Sequence, residues 1–171
     1  MQIDISPTSI EAGQRAANQG AEAIRDAIRT RGKAAVILAT GASQFDVLDA
    51  LVQQTDIEWS MVTIFHLDEY VGIDATHSAS FVRYLKERFL DRVSRVRDFV
   101  SIDGGAADID LEIGRVSDAI DLVSIDVAFV GVGENGHLAF NDPPADFDTH
   151  APFMRVKLDE KCRMQQANEG W

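Results

Sequence analysis

The chain has 171 residues, of which 46% are hydrophobic and 26% are charged, as in an ordinary globular protein of one domain spanning residues 1–171. Its net charge of −12 disfavours nucleic acid and anionic membranes as partners, because those surfaces select basic patches. No apolar run approaches the roughly 18 residues of a membrane span and the polar N-terminus does not look like a signal peptide, so we expect a cytoplasmic protein without a membrane partner.

The first two elements are an amphipathic helix and a buried strand. Thr8 and Glu11 match a capping box, and apolar residues then recur at helical spacing, which predicts a surface helix over residues 9–30. Residues 34–39, AAVILA, form a short apolar run typical of a buried strand. A second helical pattern begins at Phe45.

The loop between this strand and the second helix is a candidate anion site. It consists of Thr40, Gly41, Ala42 and Ser43, so small and hydroxyl residues come directly before a helix N-terminus. Free backbone N–H groups and the helix dipole at such a position favour a phosphate. The alternative is a plain turn in which Ser43 caps the helix, and the loop sequence alone leaves both interpretations open.

The third apolar run, residues 59–65, predicts a strand that carries two acids, Asp68 and Glu69, to its C-terminal end. Ligands of open α/β sheets bind at that end of the strands. Adjacent side chains point in different directions, so one acid could face a pocket while the other makes a structural pair. Solvated surface acids are the alternative.

The rest of the chain continues the alternation of helix and strand. We expect helices over 78–90 and 109–123, a loop or short edge strand at 100–105, a strand at 127–130 buried on both faces, and another strand at 153–158. This order predicts an α/β protein with three α-β-α layers and a mostly parallel, Rossmann-like sheet. The strand ends after residues 39, 66 and 130 should converge on one edge of that sheet.

The segment after the fourth strand holds the densest group of candidate catalytic residues. Gly131, Gly133 and Gly136 spell the dinucleotide fingerprint, but two prolines and no helical period follow, so nucleotide binding is disfavoured. A histidine side chain ordinarily titrates near neutral pH, and a carboxylate near His137, such as Asp142, could fix the tautomer of the ring and raise its basicity. This segment therefore predicts a general acid/base.

The same residue types could also ligate a metal ion. Their spacing matches no compact metal-binding motif, and a general acid/base site needs no metal, so we expect neither a metal nor a cofactor. The residues concerned are His66, Asp68, His77, His137, Asp142 and His150.

Three motifs together resemble the glucosamine-6-phosphate deaminase/isomerase family, whose fold is shared with 6-phosphogluconolactonases. They are LATGAS at 38–43, FHLDEYVG at 65–72 and GVGENGHLAFNDP at 131–143. They follow the family's order, and the resemblance covers essentially the whole chain. The second and third motifs favour the amino-sugar branch over the lactonases.

The resemblance implies a role for each candidate residue. Residues 40–43 would bind the sugar phosphate, and the Gly131 backbone would lie against the substrate. Asp68 would be the base that moves a proton between C2 and C1, and His137 would open the pyranose ring through its O5 proton. Asp142 would orient this histidine. The implied reaction converts glucosamine 6-phosphate to fructose 6-phosphate and ammonia.

The sequence departs from the family pattern in three places. Asn135 stands where the well-known deaminases commonly carry Asp, and an amide cannot accept a proton as a carboxylate does. Asp142 replaces the usual Glu. Family members continue beyond the position of Trp171 with further strands and with a lysine that binds the phosphate. They also carry an arginine that contacts the phosphate near the position of Gly170, and this chain lacks it. We therefore expect a C-terminally incomplete sheet with an exposed edge and apolar surface.

Two other functions stay open at this point. One is a non-catalytic sugar-phosphate-binding protein, which the change at Asn135 favours. The other is a related sugar-phosphate isomerase or a 6-phosphogluconolactonase. All three share a small-molecule sugar phosphate as ligand. The resemblance also allows a homo-oligomer, although the hydrophobic periodicity identifies no interface.

Overall fold

A parallel sheet of four strands forms the centre of the molecule. The computed structural model describes residues 2–133, 136–141, 144–158, 160, 163 and 164. The strands, in the order β3-β2-β1-β4, pair in parallel throughout, which confirms the predicted α/β fold. Their bounds are β1 Ala34–Leu38, β2 Val62–His66, β3 Asp98–Val100 and β4 Val127–Phe129.

Helices begin and end where the sequence provides caps. The Thr8 side chain accepts the Glu11 N–H at 3.2 Å at the start of the first helix, and Gly32, at φ 69°, ends it. Ser80 and Asp108 cap two later helices in the same way. The helices are α1 Ser9–Arg31, α2 Phe45–Leu51, α3 Phe81–Arg88 and α4 Ile109–Asp121.

The core lies between the inner strands β1 and β2 and the helices that cover them. Its side chains include Val36, Leu38 and Ile64, all fully buried. Helix α1 lies directly on the sheet, since a Cβ added at Gly20 would come within 2.2 Å of the Phe129 ring. Neighbouring strands and the covering helices therefore both hold the inner strands, and this fixes the positions of their C-terminal ends.

The prediction that residues 127–130 are buried on both faces is wrong. Phe129 is buried, but Val127 is only half-buried and Ala128 is exposed. Val130 lies beyond the strand with 42% of its surface exposed. Strand β4 pairs with β1 alone among the described strands, so it forms an edge of the described sheet.

Other elements are shorter than the sequence pattern predicts. Residues 59–61 form a 3-10 turn before β2, and α3 covers only part of the predicted 78–90 helix. The edge strand predicted within 100–105 ends at Val100, so most of that range is a loop. Residues 153–158 do not form the predicted strand, because in the described structure they pair with no sheet edge. No helix in the described ranges is long and apolar enough to cross a membrane.

Candidate functional site

The C-terminal ends of β1, β2 and β4 meet at a cavity of about 250 Å³, as predicted. Seven of the nine residues proposed from the sequence line it. Asn135 and Asp142 lie outside the described residues. The seven are Thr40, Gly41, Ala42, Ser43, Asp68, Gly131 and His137.

The loop of residues 40–43 presents backbone donors to this cavity. Gly41 has φ 95°, a conformation that favours glycine, and its carbonyl accepts the Gln44 N–H at 3.1 Å. The N–H groups of Thr40, Ala42 and Ser43 donate to no acceptor within the described part of the chain. Such a run of free N–H groups beside a cavity is suited to an anion.

Ser43 does not cap α2. The N-cap residue of α2 is Gln44, without a side-chain cap bond, and Ser43 Oγ instead accepts from Gln44 Nε2 at 3.1 Å. A Cβ added at Gly131 would lie 3.1 Å from the same Oγ, so the loops after β1 and β4 touch here. Because α2 has only seven residues, the backbone N–H groups matter more for an anion than the helix dipole.

The two acids after β2 lie in separate environments, which is one of the two possibilities that their adjacent positions left open. Glu69 binds the start of α3, where its carboxylate accepts from Ser80 Oγ at 2.7 Å, the Phe81 N–H at 3.2 Å and the Val82 N–H at 3.0 Å. Asp68 lines the cavity. The alternative of two solvated surface acids is therefore wrong.

The Asp68 carboxyl group titrates near neutral pH. Part of the residue faces the open cavity, but protein atoms surround the carboxyl group, and this desolvation raises its pKa to about 7. The negative charge of Glu69 raises the pKa further. A carboxyl group with this pKa is able to take up and release a proton at neutral pH.

His66 is a buried neighbour of Asp68 that the sequence singled out only as a potential metal ligand. Its Nε2 accepts the Ile102 N–H at 2.9 Å, which assigns the proton of the neutral ring to Nδ1. This Nδ1 has no hydrogen-bond partner among the described residues. Burial lowers the pKa of His66 to about 4, with a small opposing effect from the Asp68 backbone. The ring is therefore neutral at pH 7 and adds no positive charge near Asp68.

The loop after β4 brings His137 to the cavity through a tight turn. The Gly133 N–H donates to the His137 carbonyl at 2.9 Å. The Gly136 N–H donates to the Gly133 carbonyl at 2.9 Å, and Gly136 has φ 87°. A Cβ at Gly133 would lie 2.2 Å from the imidazole Cε1, so the ring packs directly on this glycine. Residues 136–141 contain no helix, which excludes the dinucleotide fingerprint.

A second cavity of about 550 Å³ adjoins the first. The two share Asp68 and Phe140, and the Phe140 ring packs against the rings of Tyr70 and Phe81 at 5.4 and 5.7 Å. The walls of the second cavity come from the loop after β2, from α4 and from residues 151–158. The sequence analysis missed this cavity, because contacts between distant segments leave no periodic signal. In the described ranges, no three His, Cys, Asp or Glu residues are grouped closely enough to hold a metal ion.

Comparisons with known proteins identify the family of this chain. Residues 7–157 match the family described as glucosamine-6-phosphate isomerases/6-phosphogluconolactonase. The chain is 36% identical to a glucosamine-6-phosphate deaminase of Arthrobacter sp. (strain FB24), over 98% of this chain and 64% of that protein. It is 31% identical to one of Bacillus pumilus (strain SAFR-032), over 87% of this chain and 63% of that protein. The chain thus spans less than two thirds of these relatives' length.

Solved structures give the same result. A monomeric glucosamine-6-phosphate deaminase superposes with a TM-score of 0.86 at 28% identity, over 98% of this chain and 69% of that chain. A 6-phosphogluconolactonase from Shewanella baltica OS155, 24% identical, shares the fold with a TM-score of 0.71 over 80% of this chain and 58% of its own. By family match, sequence identity and fold, the chain belongs to the glucosamine-6-phosphate isomerase/6-phosphogluconolactonase family.

Proposed function

We propose that this protein acts on glucosamine 6-phosphate and releases fructose 6-phosphate and ammonia. The observation that carries the proposal is the position of Asp68, whose pKa is about 7, in the same cavity as the free N–H groups of residues 40–43 and the His137 imidazole. A proton-transfer group, a second titratable group and an anion site are the parts that this reaction needs. The relatives' names support the amino sugar as substrate.

The reaction would start with phosphate binding and ring opening. The N–H groups of residues 40–43 hold the phosphate, and the sugar extends across the cavity toward Asp68 and His137. The His137 imidazole transfers the proton between the O1 hydroxyl and the ring oxygen O5, which breaks the C1–O5 bond and leaves an open-chain aldehyde. Asn135 and Asp142 lie outside the described residues, so their contributions to this step stay predictions.

Asp68 would then catalyse the isomerisation. Its carboxylate takes the proton from C2, the C–H electron pair forms the C1–C2 double bond, and the C1 oxygen takes up a proton from water to give the enol. The same carboxyl group then returns its proton to C1, while the C2 amino group loses a proton to water. The product carries an imine at C2, and water adds to this imine to release ammonia and leave the ketone of fructose 6-phosphate. Only the ionised carboxyl group can take the C2 proton, so turnover should rise with pH as Asp68 ionises near pH 7.

The test is the release of ammonia and fructose 6-phosphate from glucosamine 6-phosphate, both measured in coupled assays. Equal amounts of the two products from the wild-type protein, and none from Asp68→Asn, would support the proposal. Asp91→Asn, an exposed acid after α3, is the matched control and should keep the wild-type rate. Absence of ammonia with the wild-type protein would contradict the deaminase proposal, and hydrolysis of 6-phosphogluconolactone would then identify the other branch of the family.

The proposal also covers the location and the ligand. A cytoplasmic protein with a small sugar phosphate as ligand fits the metabolic enzymes among its relatives, and cell fractionation tests the location. One solved relative is a monomeric enzyme, so the proposed reaction does not require a homo-oligomer.

A further inference from the structure

The Tyr84 hydroxyl supports the loop of residues 40–43 from the side of α3. It donates a hydrogen bond of 2.9 Å to the Gly41 carbonyl, across 43 positions of the chain. The same carbonyl accepts the Gln44 N–H at 3.1 Å. Both lone pairs of this oxygen are therefore engaged, and the peptide between Gly41 and Ala42 has one fixed orientation.

This orientation decides where the Ala42 N–H points. In a planar trans peptide, the C=O of one residue and the N–H of the next point in opposite directions. The Gly41 carbonyl is directed toward Tyr84, so the Ala42 N–H is directed away from Tyr84. Gly41, Ala42 and Ser43 line the cavity, and Gly41 has φ 95°. A glycine in this region has several conformations open to it, and the Tyr84 hydroxyl favours the one observed.

The Tyr84 side chain is itself held in place. Its ring is buried and stacks on Phe45 with centroids 6.0 Å apart, and the Arg88 guanidinium lies 3.7 Å from the centroid of the Phe45 ring. Burial raises the pKa of the Tyr84 hydroxyl, against a smaller opposing effect of Arg88, so the group keeps its proton and remains a donor. The hydroxyl thus has a fixed place and a fixed role.

We propose that Tyr84 is a positioning residue for phosphate binding, because its hydrogen bond to Gly41 holds the Ala42 N–H toward the phosphate in the cavity. The inference rests on the proposed function in taking residues 40–43 as the phosphate site. Tyr84 does not line the cavity that contains Asp68 and His137, and it acts on the ligand through the backbone of the loop.

The variant Tyr84→Phe tests this, because it removes the hydroxyl and keeps the ring. Loss of one neutral hydrogen bond that positions a donor should weaken the binding of inorganic phosphate and raise the KM for glucosamine 6-phosphate, each about three- to ten-fold. The kcat and its pH profile should stay at wild-type values, since Asp68 and His137 are unchanged. Calorimetry with inorganic phosphate measures binding without any turnover.

Ile24→Val is the matched control, because it also removes a small group from a fully buried side chain, on α1 and away from the loop. Ile24→Val should lower the thermal unfolding midpoint about as much as Tyr84→Phe does, and it should leave phosphate binding unchanged. Equal phosphate affinities of the wild-type protein and Tyr84→Phe would overturn the inference, and so would a wild-type protein that binds no phosphate. Phosphate binding that weakens in Tyr84→Phe, with no ammonia from the wild-type protein, would support the role of Tyr84 and contradict the deaminase proposal alone.

Discussion

The loops after the inner strands and the loop after the edge strand are held in different ways. Hydrogen bonds from other elements reach the ends of β1 and β2, namely Tyr84 to Gly41, Ser80 to Glu69 and the Ile102 N–H to His66. In the loop after β4, the described hydrogen bonds of Gly133, Gly136 and Asn141 connect the loop with itself or with the chain just after it. This loop also contacts other elements, because the Phe140 ring packs against the rings of Tyr70 and Phe81.

This difference divides the proposed chemistry into two parts. The anion loop and Asp68 lie on supported backbone, where a small displacement would cost binding and alter the pKa of the carboxyl group. His137 lies on a loop in which the Gly133 N–H donates to the His137 carbonyl and the Gly136 N–H donates to the Gly133 carbonyl. Substitutions near β1 and β2 should therefore change stability, pH dependence and binding together, whereas substitutions after β4 should change turnover with little effect on stability.

The largest effect is expected from Asp68→Asn. Loss of the proposed base should lower kcat about a hundred- to ten-thousand-fold, measured as ammonia release. The folded carboxyl group has a pKa of about 7 against its usual 3.8, so it binds more protons than the unfolded one, and its ionisation lowers stability as pH rises between these values. The variant lacks this loss, so thermal unfolding should show it to be more stable than the wild type at pH 8 but not at pH 4. A wild-type kcat would remove Asp68 as the base.

Gly133→Ala should come next. The added Cβ would lie 2.2 Å from the His137 Cε1 and must displace the ring, so turnover should fall about ten-fold or more. The unfolding midpoint should change little, because the loop lies at the sheet edge. Gly114→Ala on α4 is the matched control, since its Cβ would meet no atom within 4 Å and should leave turnover unchanged. Equal turnover in the two variants would contradict the proposed position of the imidazole.

Glu69→Gln should give a smaller change, and mainly in pH dependence. The charge of Glu69 raises the pKa of Asp68, so its removal should shift the acidic limb of the kcat/KM profile to lower pH by a fraction of a unit. Weaker hydrogen bonds to the start of α3 should lower stability by about 1 kcal/mol. Glu87→Gln, at the exposed end of α3, should change neither quantity measurably. An unshifted acidic limb would show that Glu69 does not act on Asp68.

His66→Asn should change the pH dependence of stability. The pKa of His66 is about 4 in the folded state against 6.5 ordinarily, so the unfolded ring binds more protons and stability falls as pH drops from 6.5 to 4. Asp68 acts in the opposite direction over nearly the same range. The two contributions partly cancel in the wild type. The variant should therefore lose stability more steeply as pH rises from 4 to 6.5, measured by denaturant unfolding, and an unchanged slope would contradict this balance.

The sequence predicted those parts of the site that depend on local patterns. Alternating helical and strand periods gave the parallel sheet, and strand ends followed by glycines or acids gave the residues that meet at the smaller cavity. These features need only the local period and the rule that parallel strands end at the same edge of a sheet. The adjacent positions of Asp68 and Glu69 only allowed separate environments, with solvated surface acids as the alternative, and the hydrogen bonds of Glu69 decide between the two.

The remaining features depend on contacts between distant parts of the chain. The exposure of Ala128 follows from the place of β4 in the strand order, which no single segment encodes. The absence of a strand at 153–158 has the same origin, since a strand needs a partner edge. The bonds from Tyr84 to Gly41 and from Ile102 to His66 span 43 and 36 positions, so no local pattern predicts them.

The contact between Gly20 and Phe129 has a consequence for how the chain is made. Helix α1 leaves the ribosome before β4, but part of its buried face rests on the Phe129 ring, which is synthesised more than a hundred residues after Gly20. At about 5–20 residues per second, this interval is on the order of 5–20 seconds. During that time the part of α1 around Gly20 lacks the Phe129 ring, so the nascent chain passes through a stage in which α1 is complete and the surface on which Gly20 packs is not.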